Sequence, residues 1–190
     1  PYWLRDKFLY LIKREIKHVK EVKEGRIAAK MNSLCDSGII AALYEASAAG
    51  VKIDLIVRGI CCLKVGIPGV SENITVRSIV GNFLEHSRIF YFENGGNIDV
   101  YMGSADWMPR NLDRRVEIIF PVLEDALKEK AVHILEVELA DNVKARVMEP
   151  DGNYVRVDKR GKQLVNSQRV FVEEAEQAVP KDTESQKGRV

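Results

Sequence analysis

Apolar residues recur at helical spacing over 5–24, RDKFLYLIKREIKHVKEVKE. Phe8, Leu11, Ile12, Ile16 and Val19 share one face, with lysines and acids opposite. The pattern predicts an amphipathic helix, stopped at Gly25. RIAAKMN (26–32) then predicts a short strand. Asp36 is placed to cap a helix from about Ser37 to Ala49, ended by Gly50, and VKIDLIV (51–57) predicts a β-branched strand ending at Arg58-Gly59. Helix, strand, helix, strand in that order points to an α/β unit with helices covering a sheet.

The middle of the chain changes to strand patterns: NITVRSIV (73–80), RIFYF (88–92), IDVYMG (98–103) and VEIIFPV (116–122), the last read as buried. Asn94-Gly95-Gly96-Asn97 marks a hairpin turn between the second and third of these. EDALKEKAVHILEVEL (124–139) predicts another amphipathic helix. The polar stretch 150–167 predicts an exposed loop or hairpin, 168–178 a short last helix, and 180–190 a disordered tail.

With 190 residues, the chain is long enough for one domain with a sizeable core. Its 46% hydrophobic and 30% charged shares exclude a disordered protein and a disulfide scaffold. No apolar run approaches the ~20 residues of a membrane span. Charge changes the picture more: 29 basic residues stand against 28 acidic, a formal net of +1. With no global basic field, no nucleic-acid partner is expected, and any anion site must be a local cluster. The cysteines, Cys35, Cys61 and Cys62, have no C-x-x-C spacing and an odd count, which fits a reducing cytoplasm. The chain opens on Pro1 rather than Met and is read as a piece of a longer polypeptide.

Four groups of residues could carry chemistry. His86 and Arg88, two apart at the start of a predicted strand, would project together: an imidazole to relay a proton and a guanidinium to fork onto phosphate. Gly103-Ser104-Ala105-Asp106 follows another strand and offers close backbone approach, a hydroxyl and an acceptor. Arg110, Arg114 and Arg115 lie beside Asp113 and Glu117, and a strand over 115–120 would put Arg115 and Glu117 on one face. Arg58, and more weakly Lys30 and Asn32, close strands at the carboxyl ends where open α/β sheets bind ligands. Taken singly, each group is better explained by a satisfied strand end, a capped turn, a surface ion pair or a solvated arginine. His18 and His133 fall in predicted helices, no histidine pair has metal-ligand spacing, and no P-loop or G-x-G-x-x-G occurs.

Taken together, His86-x-Arg88, Gly103-Ser104-x-Asp106 and Glu117 resemble the H-x-K, G-S-x-N and acid layout of the phospholipase D superfamily. Arg in place of Lys and Asp in place of Asn depart from it. Longer strings extend the resemblance: AKMNSLCD, IDLIVRGICCL, SENITVRSIVGNFLEHSRIFYFENGG, GSADWMPRNLDRRVE and NVKARVMEPDGNYVRV are similar to the C-terminal catalytic domain of bacterial polyphosphate kinases, from about Leu4 to Gln168.

The resemblance implies an α/β, phospholipase D-like domain with a mixed central sheet flanked by helices. It would occupy residues 1–168, followed by a terminal helix and tail over 169–190. It implies reversible transfer of the terminal phosphate of ATP to inorganic polyphosphate. The phosphorylated histidine, the adenine-stacking tyrosine and the magnesium-binding groups would lie upstream, so no metal ligand is expected here. Arg58 matches an arginine on the ATP phosphates. His86 matches a second motif histidine with a part in proton transfer. Arg115 and Glu117 match positions lining the same tunnel, while Asn82 stands where relatives often carry arginine. Arg88 joins the expected phosphate-binding set, with Lys30, Asn32, Ser104, Asp106 and Arg110 as weaker candidates. ATP or ADP, polyphosphate, the preceding catalytic domain and further copies of the full-length chain are the implied partners. The implied place is the cytoplasm, with a peripheral membrane association left open. Two alternatives stand beside this reading: a stand-alone phospholipase D-like phosphodiesterase, and a non-catalytic module that binds polyanions.

Overall fold

The computed structural model of the chain describes residues 3–22 and 24–179. One eight-stranded sheet runs through it. The strands are β1 (Arg26–Met31), β2 (Lys52–Val57), β3 (Ile74–Ile79), β4 (Ile89–Phe92), β5 (Asp99–Gly103), β6 (Ile119–Pro121), β7 (Ala145–Met148) and β8 (Tyr154–Arg156). They lie in the order β6-β5-β4-β1-β2-β3-β7-β8. The central three are parallel, and every outer pairing is antiparallel.

Strand alternation divides the core into two layers. Ile27, Ala29, Met31, Ile53, Leu55 and Val57 pack with Phe8, Leu11 and Ile12 of α1 (Leu4–Val22) and Ile39 and Leu43 of α2 (Ser37–Ala48). Ala28, Ile56, Ile89 and Tyr91, on the other face, pack with Ala131 and Leu135 of α3 (Asp125–Ala140). The period of two in the strands and of 3.6 in the helices thus meets on both sides of the sheet. Phe8, Phe90 and Trp107 form an aromatic cluster with ring centroids 4.7–5.5 Å apart. Asp36 caps α2, accepting from the Ile39 N–H at 3.0 Å, and its other oxygen holds Arg5 of α1.

The expected elements form, with instructive differences. VEIIFPV is not a buried strand: only 119–121 pairs, at the sheet edge, and Val116 and Ile118 are 88% and 65% exposed. Pro121 has no N–H for a further ladder, which suits an edge position. Residues 81–88 are a loop, so His86 lies before β4 rather than on it. β7 carries no separate strand signal and lies ahead of the polar segment; it pairs with β8, so a hairpin spans 145–156 and 157–166 is loop. The Asn94–Gly96 turn is a single 3₁₀ turn in which Gly95 has φ of 62°. A Cβ there would come 3.1 Å from Nδ1 of His18, so helix and turn approach closely. The last helix, α4 (Ser167–Ala178), packs on α3, with His133 bonded to Glu174 at 2.8 Å. The expected tail, 180–190, lies outside the described residues.

Candidate functional site

Topology brings five segments to one edge of the sheet. β1 and β2 are parallel and end there, at Asn32 and Arg58. β4 is antiparallel to β1 and starts there, just after Arg88. β5 ends there at Gly103-Ser104, and β6, antiparallel to β5, starts there just after Glu117. This is the carboxyl-end crevice where open α/β sheets take ligands.

Asp106 is the anchor of the cluster and is 4% exposed. Its Oδ1 accepts from the Asn32 N–H at 2.8 Å and from Arg88 Nε at 3.2 Å, while Oδ2 accepts from Arg88 Nη2 at 3.3 Å. Arg88 also donates from Nη1 to the carbonyl of His86 at 2.8 Å, so its guanidinium fixes the backbone that carries the imidazole. Arg58 donates from Nε to Asn32 Oδ1, and its Nη2 lies 3.5 Å from His86 Nδ1. A guanidinium can only donate, so a hydrogen bond across this contact takes the imidazole tautomer that carries its proton on Nε2. Arg58 keeps Nη1 without a hydrogen-bond partner among the described residues.

Ser104, Asn111 and Glu117 form a second group. Ser104 Oγ donates to Glu117 Oε2 and accepts from the Ile118 N–H at 3.1 Å, and Asn111 Nδ2 donates to Glu117 Oε1. Gly103 permits this: a Cβ there would sit 2.0 Å from the carbonyl oxygen of Ile118. Arg115 is exposed and extended, in no ion pair among the described residues, and Arg110 is exposed within the short turn 110–114. Arg115 and Glu117 do not share a strand face, because the strand starts two residues later.

Lys30 is not brought to this crevice. Alternation along β1 turns it to the α3 face, where it is 3% exposed and bonds to Glu85 and Glu138. Gln168 completes that buried network, donating to Glu85 at 2.6 Å and clasping Phe83 through both its N–H and its carbonyl. Burial pushes the Glu138 carboxyl up to about 7, against the pull of Lys30. Burial also pushes Glu85 up, but hydrogen bonds from Lys30 and Gln168 outweigh it and hold Glu85 below its ordinary value. Glu85, Glu138 and Gln168 carry no local sequence signal, because their partners lie 55 to 108 residues away along the chain. On the crevice side, burial and the contact with Cys62 push the Cys35 thiol up to about 11, which disfavours its thiolate.

A divalent cation does not fit these residues. Among the described residues no three Asp, Glu, His or Cys side chains converge. Asp106 is committed to Arg88 and to the Asn32 N–H, and Glu117 to Ser104 and Asn111.

The mixed eight-stranded sheet with helices on both faces has a phospholipase D-like fold. A phospholipase D family member, Nuc from Salmonella typhimurium, shares the fold with a TM-score of 0.52 at 16% identity, over 70% of this chain and 84% of that one. Residues 1–168 match the family described as polyphosphate kinase C-terminal domain 2, and the chain belongs to that family. It is 53% identical to polyphosphate kinase 1 of Chlorobaculum tepidum over 190 residues, all of this chain and 27% of that protein. The crystal structure of polyphosphate kinase from Porphyromonas gingivalis superposes with a TM-score of 0.89 at 42% identity, over 94% of this chain and 28% of that one. The chain spans about a quarter of the length of the curated relatives it matches. Among the described residues no helix is long and apolar enough to cross a membrane.

Proposed function

We propose that this chain is the second phospholipase D-like catalytic domain of an ATP:polyphosphate phosphotransferase, reversibly moving the terminal phosphate of ATP to inorganic polyphosphate. In this reading residues 1–168 form the domain and 169–190 extend it. The single observation that carries the reading is the Arg58–His86 pair: an arginine held by Asn32, with one nitrogen left free, beside an imidazole 3.5 Å away. The likeness to named polyphosphate kinases supports the same assignment.

Phosphoryl transfer asks for positioning and for stabilisation of charge spread over the phosphate oxygens. Arg58 meets the ATP phosphates with its free nitrogen. His86 donates from Nε2 to a phosphate oxygen and moves a proton there. Arg88, kept on Asp106, holds the His86 backbone and adds charge, and exposed Arg115 reaches the same anion from the turn after Arg110. Glu117, Ser104 and Asn32 shape the wall. ATP and polyphosphate would be shared with the preceding domain of the full-length chain, which would also supply the phosphorylated histidine and any magnesium ligands. A cytoplasmic, homo-oligomeric enzyme is the setting this assignment brings with it.

The test is labelled ATP given to the full-length enzyme and, separately, to this chain. Polyphosphate should form only with the former, and this chain should carry no acid-labile phosphate. Stoichiometric phosphohistidine on His86 of this chain would favour the phosphodiesterase-like alternative instead.

A further inference from the structure

The crevice edge of the sheet continues past Arg58 to a second group of cations. β3 is parallel to β2 and ends on that edge, while β7 begins there and β8 ends there. Ser78 of β3 is the register partner of Arg146 of β7, and Arg146 is the partner of Arg156 of β8. Register partners project from one face, so the hydroxyl and the two guanidinium groups stand in a row. Lys144 lies beside them. Lys144, Arg146 and Arg156 are all exposed, and among the described residues none lies within ion-pair distance of a carboxylate.

Like charges directly opposed on neighbouring strands are destabilising. Here no acid relieves them, although the chain carries 28 acidic residues. The cations also share a concavity of about 500 Å³ with Ser78, Val80 and Val143. That cavity has hydrogen-bond donors and positive charge and holds no aromatic side chain. A nucleic acid would want a ring on which to stack its bases. A bare phosphate chain wants only donors and charge. β7 lies two strands from β2, so the row sits about 10 Å along the edge from the Arg58 strand.

We propose that Lys144, Arg146 and Arg156, with the Ser78 hydroxyl, form a second anion subsite that holds inorganic polyphosphate at a distance from the reacting phosphate. This rests on the assignment of the domain to a polyphosphate phosphotransferase. The subsite takes phosphate groups several units removed from the transferred one. It acts on the affinity for long chains and leaves ATP binding and the chemical step untouched.

The experiment uses the full-length enzyme with Arg146→Gln and Arg156→Gln together. KM is measured for long-chain polyphosphate, for tripolyphosphate and for nucleotide. Without these two exposed guanidinium groups, KM for the long chain should rise about tenfold and depend less steeply on salt, while the other two constants hold. The paired Arg146→Lys, Arg156→Lys enzyme should recover most of the long-chain affinity. Unchanged long-chain KM, an equal loss on all three substrates, or displacement of long polyphosphate by single-stranded DNA at equal phosphate concentration would each overturn the subsite. A wild-type enzyme that transfers no phosphate would instead overturn the functional assignment. Direct binding of long polyphosphate to the wild-type and Gln-substituted proteins would then still decide the subsite.

Discussion

Arg58 places Nη2 3.5 Å from Nδ1 of His86, and Asn32 holds the same guanidinium through Nε. Residues from three segments, the ends of β1 and β2 and the loop before β4, therefore set one cation against one imidazole. The pair needs all three strand ends in register, which is why it marks a site more strongly than either residue does.

Arg58→Ala in the full-length enzyme removes a charge-assisted contact worth roughly 1.5–3 kcal/mol, so kcat/KM should fall about ten- to hundredfold. Arg58→Lys should recover only part, since a point charge bonded neither to Asn32 nor to His86 cannot reproduce the fork. Steady-state kinetics of folded variants check this, and wild-type values for Arg58→Ala would remove it from the site.

His86→Ala should lower turnover about a hundredfold, with nucleotide KM changing less, because its work is proton transfer at a phosphate oxygen. The pH–rate profile should also change shape. A profile that keeps its shape while falling evenly would mean that His86 contributes only position.

Asp106→Asn should destabilise this chain by about 3 kcal/mol, since it leaves Arg88 without its buried counter-charge. Asp106 receives four hydrogen bonds through two oxygens, and the amide of Asn would turn a donor toward Arg88 or toward the Asn32 N–H. Thermal unfolding gives the answer. A stability loss below that of an ordinary surface substitution would show that Arg88 finds another partner.

The order of helices and strands is legible because each element carries its own signal: Phe8, Leu11 and Ile12 recur at helical spacing, and β1 and β2 carry the short apolar runs Ile27-Ala28-Ala29 and Leu55-Ile56-Val57. VEIIFPV misled because an apolar run looks the same whether its neighbours are core or open edge. The strand order, with β6 last and paired to β5 alone, shows that this strand ends the sheet. His86, Arg88, Ser104 and Asp106 were legible as motif residues, but the bonding was not. Arg88 reads as a free phosphate fork in the sequence and is found committed to Asp106 in the fold. Lys30 differs from Asn32 for a simpler reason: the two share a parity, but Asn32 lies just past the end of β1 while Lys30 is still inside the strand, where Glu138 of α3 covers it.

The Lys30–Glu138 pair predicts a pH dependence. Glu138 stands at about 7 in the folded chain against 4.5 ordinarily, so between those values the folded state holds a proton that the unfolded state has lost. Its contribution is therefore full below about pH 4.5 and declines as pH rises toward 7, by about 3 kcal/mol at about 1.4 kcal/mol per tenfold. Glu85, held low, acts in the opposite sense: its contribution is present above pH 4.5 and is lost as pH falls through its folded value. Glu138→Gln keeps Lys30 paired with Glu85 and removes the first effect. Urea unfolding of this chain should show the Gln variant gaining on the wild type as pH rises from 5 to 7. A constant difference across that range would mean that Glu138 stays ionised.

Gly103→Ala tests the close approach between β5 and the segment leading into β6. An added Cβ meets the Ile118 carbonyl oxygen at 2.0 Å and Ile119 Cδ1 at 2.7 Å. The first contact is backbone and cannot rotate away, so the 117–119 segment must move outward. That movement stretches the 2.9 Å bond from Ser104 N–H to the same carbonyl and separates Ser104 from Glu117. Overpacking of this kind costs about 1–3 kcal/mol. Ser104→Ala removes the hydroxyl bonds to Glu117 and Ile118 without any clash, for about 1 kcal/mol. The expected order of thermal stability is therefore wild type, then Ser104→Ala, then Gly103→Ala. In the full-length enzyme the Gly103→Ala loss of activity should exceed that of Ser104→Ala, because the whole wall bearing Glu117 is displaced. Equal stability of Gly103→Ala and wild type would mean that the two segments are not held at this distance in solution, and the wall of the site would have to be redrawn.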